Sequence, residues 1–245
     1  MGPFNSFNDF FVKLTDITKE ITKDDNLLLL YRGQKNSSWD LLPKIARKEY
    51  NFIGPDFLTK EKDLVEEFQR LSRPYTNSDL LTNAWDLLSL AQHHGLPTRL
   101  LDWTTNPLVA LYFAFKEKDT KVKTRTVWLL KIDKSELADC NKNTPFNNPK
   151  TVAFKPNHVT QRLISQNGWF TTHKFINTSK RFITPSNTFI KLNKNKAYKD
   201  RIFKFQIINN AREEILTRLD TFGINELTLF PGIDGLSKYL EWKKN

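Results

Sequence analysis

The chain is poor in the residues from which small catalytic and metal centres are most often built. Its 245 residues include one cysteine, Cys140, and four histidines. A single cysteine excludes an intrachain disulfide, and a Cys/His zinc cluster has too few ligands. A reducing cytoplasm is the expected compartment. No window reads as a signal peptide or a membrane span. The first helical pattern (Phe7, Phe10, Phe11, Leu14, Ile17, Ile21) has early acids instead of a basic region followed by an apolar run. The common catalytic signatures are missing too: there is no P-loop, GxSxG, GxGxxG or HExxH. His93 and His94 are adjacent, so on a helix they point about 100° apart and are poor co-ligands for one metal. No metal is expected.

Acidic residues are missing from one long stretch. None occurs between Cys140 and Lys199. That stretch holds eleven basic residues: Lys142, Lys150, Lys155, Arg162, Lys174, Lys180, Arg181, Lys191, Lys194, Lys196 and Lys199. It thus accounts for the whole formal net charge of +11. Phe146, Phe154, Trp169, Phe170, Phe175, Phe182, Phe189 and Tyr198 are interleaved with them. Cations that neutralise phosphates beside rings that stack on bases suit a nucleic-acid groove, with Lys174, Lys180, Arg181, Lys191, Lys194 and Lys196 as contacts. The plainer alternative is a strand-rich half with core aromatics and solvated lysines.

What is abundant is apolar and patterned. Hydrophobic residues make up 39% of the chain and aromatic ones 13%, enough for a substantial core in one large domain or two small ones. The most informative block is Leu88 to Phe115, LSLAQHHGLPTRLLDWTTNPLVALYFAF. Ala84, Leu87, Leu88 and Ala91 give one helical face. Gly95 and Pro97 end that helix. Thr98 to Trp103 reads as a short buried strand. Asn106 then caps a helix with Pro107 in its first turn, and Leu108 to Phe115 is apolar nearly all round, hence buried. Polar residues crowd the two junctions, where rigid elements can hold converging groups.

Elsewhere the spacing predicts helices over 5–22, 59–71 and after Asn209 or Asn210, with Glu213 and Glu214 in the first turn. Ile233, Leu236 and Leu240 mark a closing helix. Strands are expected over 27–33, 125–133, 163–172, 182–192, 201–208 and 224–230, and 141–157 reads as an Asn/Pro-rich loop. Helices dominate the first half and strands the second. The expected fold class is α+β, a helical N-terminal half packed on a mixed, largely antiparallel sheet.

YRGQ (Tyr31 to Gln34), Trp39, LLPKIAR (Leu41 to Arg47), QHHGLPTRLLDWT and ALYFA resemble the FRG domain family, named for its Phe/Tyr-Arg-Gly motif. QNGWFTT (Gln166 to Thr172) and LFPGIDGL (Leu229 to Leu236) also match its pattern. The likeness covers about residues 25–240. Residues 1–24 then form an N-terminal helix, and the strand-rich basic half, 140–208, is a candidate subdomain.

The order of elements is also similar, more weakly, to the layout of ADP-ribosyltransferases, which split NAD and transfer ADP-ribose. That resemblance implies an ADP-ribosyltransferase-like core, NAD as substrate and a first-strand arginine, here Arg32, holding the dinucleotide. Tyr31, Gly33 and Gln34 would lie beside it, His94 and Arg99 along its phosphate or adenosine side, and Trp103 and Thr104 around nicotinamide. Gly33 is read as leaving room for a ligand at the backbone. The family's late-strand glutamate would stabilise an oxocarbenium-like state. Gly168 stands in its place, so the carboxylate is sought in Glu226, Asp102 or Asp234. Each residue has a plainer role as well: Arg32 or Arg99 paired with Asp102, Trp103 in the core, Glu226 on an exposed edge strand.

Three functions stay open. The first is an NAD-dependent transferase acting on DNA, RNA or a nucleic-acid-associated target, in a prokaryotic toxin or antiphage defence setting with an operon partner protein and no membrane. The second is a non-catalytic nucleotide or nucleic-acid sensor module. The third is a nucleotide hydrolase using Asp102 and a histidine.

Overall fold

The computed structural model describes residues 3–47, 57–76, 78–157, 160–176 and 189–244. Its strands are β1 (Leu27–Gln34), β2 (Leu100–Thr104), β3 (Thr124–Asp133), β4 (Val152–Phe154), β5 (Gly168–Thr172) and β6 (Ile202–Ile208). Its helices are α1 (Phe7–Ile21), α2 (Phe57–Ser72), α3 (Ala84–His93), α4 (Pro107–Phe115), α5 (Gln161–Ser165), α6 (Arg212–Thr221), α7 (Glu226–Leu229) and α8 (Ile233–Lys244). The six strands form one sheet in the order β4-β5-β2-β1-β3-β6. Every pairing in it is antiparallel, so the sheet is not mixed.

Alternation along the strands separates two faces. On one, Leu29, Tyr31, Val127, Leu129, Phe205 and Ile207 pack under α1, α4 and α6. Leu100, Val152, Phe154 and Phe170 continue that face under α3 and α2. On the other, Leu30, Leu101, Trp103, Trp128, Leu130 and Ala153 are covered by loops and 3-10 turns carrying Leu41, Leu192 and Tyr198. Helices therefore cap one side and irregular chain the other.

The junctions around β2 follow their sequence signals. Gly95 takes φ +87 after α3. Its N–H bonds Gln92 O and that of Leu96 bonds Ala91 O, the double bond of a Schellman end. Asn106 caps α4 by accepting from the Leu108 N–H, with Pro107 at the first position.

Other expectations change. The stretch 163–172 breaks into α5, capped by Thr160, and β5, with Asn167 at φ +47 between them. The loop 141–157 contains the short edge strand β4. Asn209 does not cap α6; its carboxamide instead binds Arg125 and the Asp119 carbonyl, and Ala211 stands at the cap. The expected strand over 224–230 is the helix α7, because Asn225 and Thr228 form a reciprocal capping box there. The expected strand over 182–192 falls mostly outside the described residues; Phe189 bridges Phe175, and Leu192–Lys194 is a 3-10 turn. The halves are not segregated either: α6, α7 and α8 come from the second half, and α6 packs on the same core as α1 and α4.

Candidate functional site

The sheet is continuous except at its centre. β1 aligns with β3 through eight residue pairs and β2 with β5 through five, but β1 and β2 share one, Tyr31 with Thr104. Past that pair the two strands part, and Arg32 occupies the split. Its Nη1 donates to the Asp102 carbonyl oxygen at 2.7 Å and lies 3.3 Å from the Asp102 carboxylate. A side chain thus replaces the next backbone bond. Arg32 is only 13% exposed, and burial lowers its pKa; Asp102 opposes that shift and Arg47 adds to it.

Asp102 is the solvent-facing end of a relay. Its side chain is 57% exposed. Gln92 Nε2 donates to both carboxylate oxygens, at 3.2 and 3.0 Å, and the Thr98 hydroxyl donates to Gln92 Oε1 at 2.6 Å. His93, next on α3, has its pKa lowered by burial and by Arg162 and His94, with Asp102 acting the other way. The Leu41 to Arg47 motif closes on this region: the Ile45 N–H bonds Thr98 O, and Lys44 Nζ bonds Gly95 O.

Beneath the relay is a buried ion pair. Arg99 Nε donates to Glu61 Oε1 at 2.8 Å and Nη2 to Oε2, with both side chains 1% exposed. Arg99 Nη1 also donates to Phe146 O. The partner of Arg99 is therefore Glu61 of α2, not Asp102.

The structure brings Arg32 and Asp102 together and separates several other expected residues from them. Tyr31 lies in the helix-side core, its phenol pushed up to about 12 by burial. Gly33 leaves no room for a ligand: a Cβ there would lie 1.9 Å from Ala110 O of α4. Gln34 is committed, accepting from Trp128 Nε1 at 2.7 Å and donating to Asp40 O. Trp103 is core, donating to Thr171 Oγ1, and Thr104 Oγ1 accepts the Asn106 N–H. His94 lines a separate apolar cavity of about 520 Å³ with Leu64, Phe68, Leu90 and Leu96.

Glu226 is not at the split and not on an edge strand. It starts α7 and accepts a hydrogen bond from the Tyr112 hydroxyl of α4. Lys116 and Lys238 each approach it to 4.0 Å. Burial, then Glu226, raises the Tyr112 pKa. Gly33 faces α4, so Arg32 beside it leaves β1 on the opposite face and reaches Asp102 through the split. Asp234 is exposed at the start of α8.

Gly168 is also built in. A Cβ there would meet Leu163 Cδ2 at 2.7 Å, so α5 occupies the space that a longer side chain needs. The nearby Gln166 donates to Leu229 O.

Of the expected nucleic-acid contacts, Lys174 and Lys196 are exposed. Lys191 and Lys194 both pair with Asp40, at 2.6 and 3.5 Å. Lys180, Arg181 and Phe182 lie outside the described residues. Phe154, Phe170, Phe189 and Tyr198 are buried, so these rings serve the core and are not free to stack on bases. Among the described residues, no three His, Cys, Asp or Glu side chains converge as metal ligands.

Sequence spacing did not point to His173 or Glu61. His173 follows β5, is 1% exposed, and is pushed down to about 3 by burial and by Arg32 and Arg99. Glu61 carried a usable signal: it lies between Phe57 and Val65 at i+4 spacing, the three residues of α2 that are buried. An acid inside an apolar stripe implies a buried cationic partner.

Residues 28–123 match the family model of the FRG domain. No curated protein and no solved structure matches the chain. The matched span contains Arg32, Glu61, Gln92, Thr98, Arg99 and Asp102, and ends before β3.

Proposed function

The chain contains an FRG domain, and from that premise we propose that it binds NAD at the β1–β2 split and acts on it as an ADP-ribosyltransferase-like enzyme. The observation that carries this reading is Arg32: a guanidinium wedged between two central strands, with Nη1 fixed by Asp102 and Nε unpartnered. A pyrophosphate is the ligand such a fork suits. The strands implied by the resemblance are neighbours, since β5, β2 and β1 lie side by side at the centre of the sheet.

Asp102 is the carboxylate at that position. Its exposed face is held by Gln92 and Arg32, where it would stabilise the cation that develops as nicotinamide leaves. The acceptor is a nucleic acid or a nucleic-acid-bound target, docked by Lys174, Lys196 and their basic neighbours, in a toxin or antiphage setting.

One observation favours a second reading, a sensor module without turnover. Leu163 fills the space beside Gly168, and Glu226 starts α7 and is bonded to Tyr112 of α4, so no late-strand glutamate serves the split.

One experiment separates them: labelled NAD incubated with the protein, alone and with single-stranded DNA, duplex DNA or RNA. The transferase reading expects nicotinamide release that Arg32→Ala and Asp102→Asn both abolish, with melting temperatures close to wild type. Saturable binding without release moves the assignment to the sensor. Release unchanged in both variants overturns the role given to the split.

A further inference from the structure

A cavity of about 820 Å³ is bordered by α4, α6, α7 and α8. Its shape has a local cause. After Phe230 the chain turns back and α8 lies against α7, and Gly235 permits the contact: a Cβ there would stand 1.9 Å from Phe230 O and 3.0 Å from Glu226 O. Lys238, Tyr239 and Trp242 follow Gly235 at i+3, i+4 and i+7, so one face of α8 lines the cavity. Lys243 Nζ, 2.7 Å from the Asp220 carboxylate, fastens the end of that helix to α6. Neither Arg32 nor Asp102 lines this cavity.

Glu226 organises the polar wall. Its Oε2 accepts from the Tyr112 hydroxyl. Lys116 Nζ lies 4.0 Å from Oε2 and Lys238 Nζ 4.0 Å from Oε1, both beyond hydrogen-bond reach. Among the described residues, Lys116 Nζ has no hydrogen-bond acceptor; it sits over the Phe230 ring, 4.2 Å from the centroid. Burial lowers its pKa, Glu226 opposes the fall, and Arg162 and Lys238 add to it. A partly buried ammonium held off its carboxylate has lost hydration that nothing in the protein offsets. Arg212, the third cation at this wall, is already committed: it donates to the carbonyls of Phe115 and Lys116 and pairs with Glu213.

We propose that the cavity is a second binding site and takes a nucleoside phosphomonoester, free or at the 5′ end of a strand. Two ammonium groups around one carboxylate leave an excess of positive charge, which selects an anion. Lys116 and Lys238 hold the phosphate, whose oxygens accept what the lysines donate. Glu226 Oε1 has no donor within hydrogen-bond reach, and a ribose hydroxyl supplies one. Tyr239 and Trp242 give the base a flat aromatic wall. The volume lies within the range of small-molecule sites, about 300–1,000 Å³. Nothing in this assignment uses the reading of the split.

The test is calorimetric titration with AMP, ribose 5-phosphate, adenosine and a 5′-phosphorylated triadenylate, on wild type, Lys116→Met, Lys238→Met and Arg32→Ala. Methionine keeps the length of each lysine without its charge, and Lys238, 67% exposed, is replaced without disturbing the core. Each lysine variant is expected to lose about tenfold in AMP affinity (about 1.4 kcal/mol) and nothing for adenosine. Lys116→Met is expected to melt at or above the wild-type temperature, since it removes a desolvated charge. Ribose 5-phosphate is expected to bind wild type at least tenfold more weakly than AMP. Arg32→Ala, which disables the split, is expected to retain AMP binding. Triadenylate binding that Lys116→Met weakens identifies a strand end as a source of the ligand; AMP binding without it identifies the free nucleotide. AMP binding that Arg32→Ala loses and both lysine variants keep places the nucleotide at the split and overturns the inference. No AMP binding by wild type, or equal affinity in wild type and both lysine variants, overturns it as well. Equal affinities for AMP and ribose 5-phosphate remove the base from the site and with it the nucleoside assignment.

Discussion

Arg99 and Glu61 face each other through a two-pronged ion pair with both side chains 1% exposed. The pair ties α2 to the strand-entry segment before β2, beneath the relay that ends in Asp102. Its value is conditional: the intact pair roughly offsets its own desolvation, but a single survivor is a buried bare charge. Glu61→Ala and Arg99→Ala are each expected to cost about 3–5 kcal/mol in urea unfolding. The double change to Glu61→Leu and Arg99→Met is expected to cost much less than the two singles together. Additive losses would show that the two charges do not depend on each other.

Gly33 separates a packing requirement from a ligand requirement. Its missing Cβ would stand 1.9 Å from Ala110 O, a backbone atom that moves only with α4. Gly33→Ala is expected to destabilise by more than about 3 kcal/mol, at the upper end for overpacking. Gly95→Ala, with open space around it and φ +87, carries only backbone strain of about 1 kcal/mol. Equal melting temperatures for the two variants would contradict the contact.

His173 makes part of the stability depend on pH. Its folded pKa is pushed down to about 3 from an ordinary 6.5, so between these values the unfolded chain binds a proton that the folded chain does not. The contribution is fully present above pH 6.5 and is lost as pH falls toward 3. The loss is on the order of a few kcal/mol. Carboxylates titrate in the same range, so the measurement is the difference between wild type and His173→Phe in unfolding free energy from pH 7 to pH 4. That difference is expected to move in favour of the variant as pH falls. A constant difference would mean that His173 titrates normally.

How far the sequence could be read depended on how local each signal was. β1, β2, β3 and α4 were legible because apolar runs, the Gly95 stop and the Asn106-Pro107 start act within a few residues. The stretch from Ile224 to Phe230 was misleading: its apolar content suits a strand, but the Asn225 and Thr228 side chains satisfy the backbone donors of a helix start instead. At the site, the Arg32–Asp102 contact was legible as one of two alternatives. The commitment of Gln34, Trp103 and Thr104 to internal hydrogen bonds was not, because it arises from pairing between strands far apart in the chain. A lone histidine such as His173 has no pattern at all; only a sheet that sets residue 173 beside Arg99 gives it meaning.

Asp40 holds Lys191 and Lys194, and so part of the basic half's charge is neutralised before any partner arrives. Its own pKa is lowered: burial raises it, but hydrogen bonds from Asn193 and Lys191 and the charges of the two lysines outweigh that. If the surface binds nucleic acid, Asp40→Asn releases two cations. The slope of log affinity against log salt is then expected to steepen by up to about 0.9 for each phosphate newly contacted on duplex DNA. An unchanged slope would remove Lys191 and Lys194 from the interface.

Gly168 and Leu163 are coupled across the α5–β5 turn. A Cβ at 168 would lie 2.7 Å from Leu163 Cδ2, the far end of a side chain and so movable at a cost. Gly168→Ala alone is expected to destabilise by about 1–3 kcal/mol, as overpacking does. Leu163→Ala alone removes apolar burial and costs about 2 kcal/mol or more. Together they should cost less than the sum, with a coupling of about 1 kcal/mol, because the truncated leucine leaves the space that the new methyl takes. The same pair gives a test of the proposed chemistry. Gly168→Glu in the Leu163→Ala background restores a carboxylate at the start of β5, and NAD turnover that rises above wild type would show that this position was vacated in a transferase-like site. Turnover that stays level would show that a carboxylate at 168 adds nothing to the split.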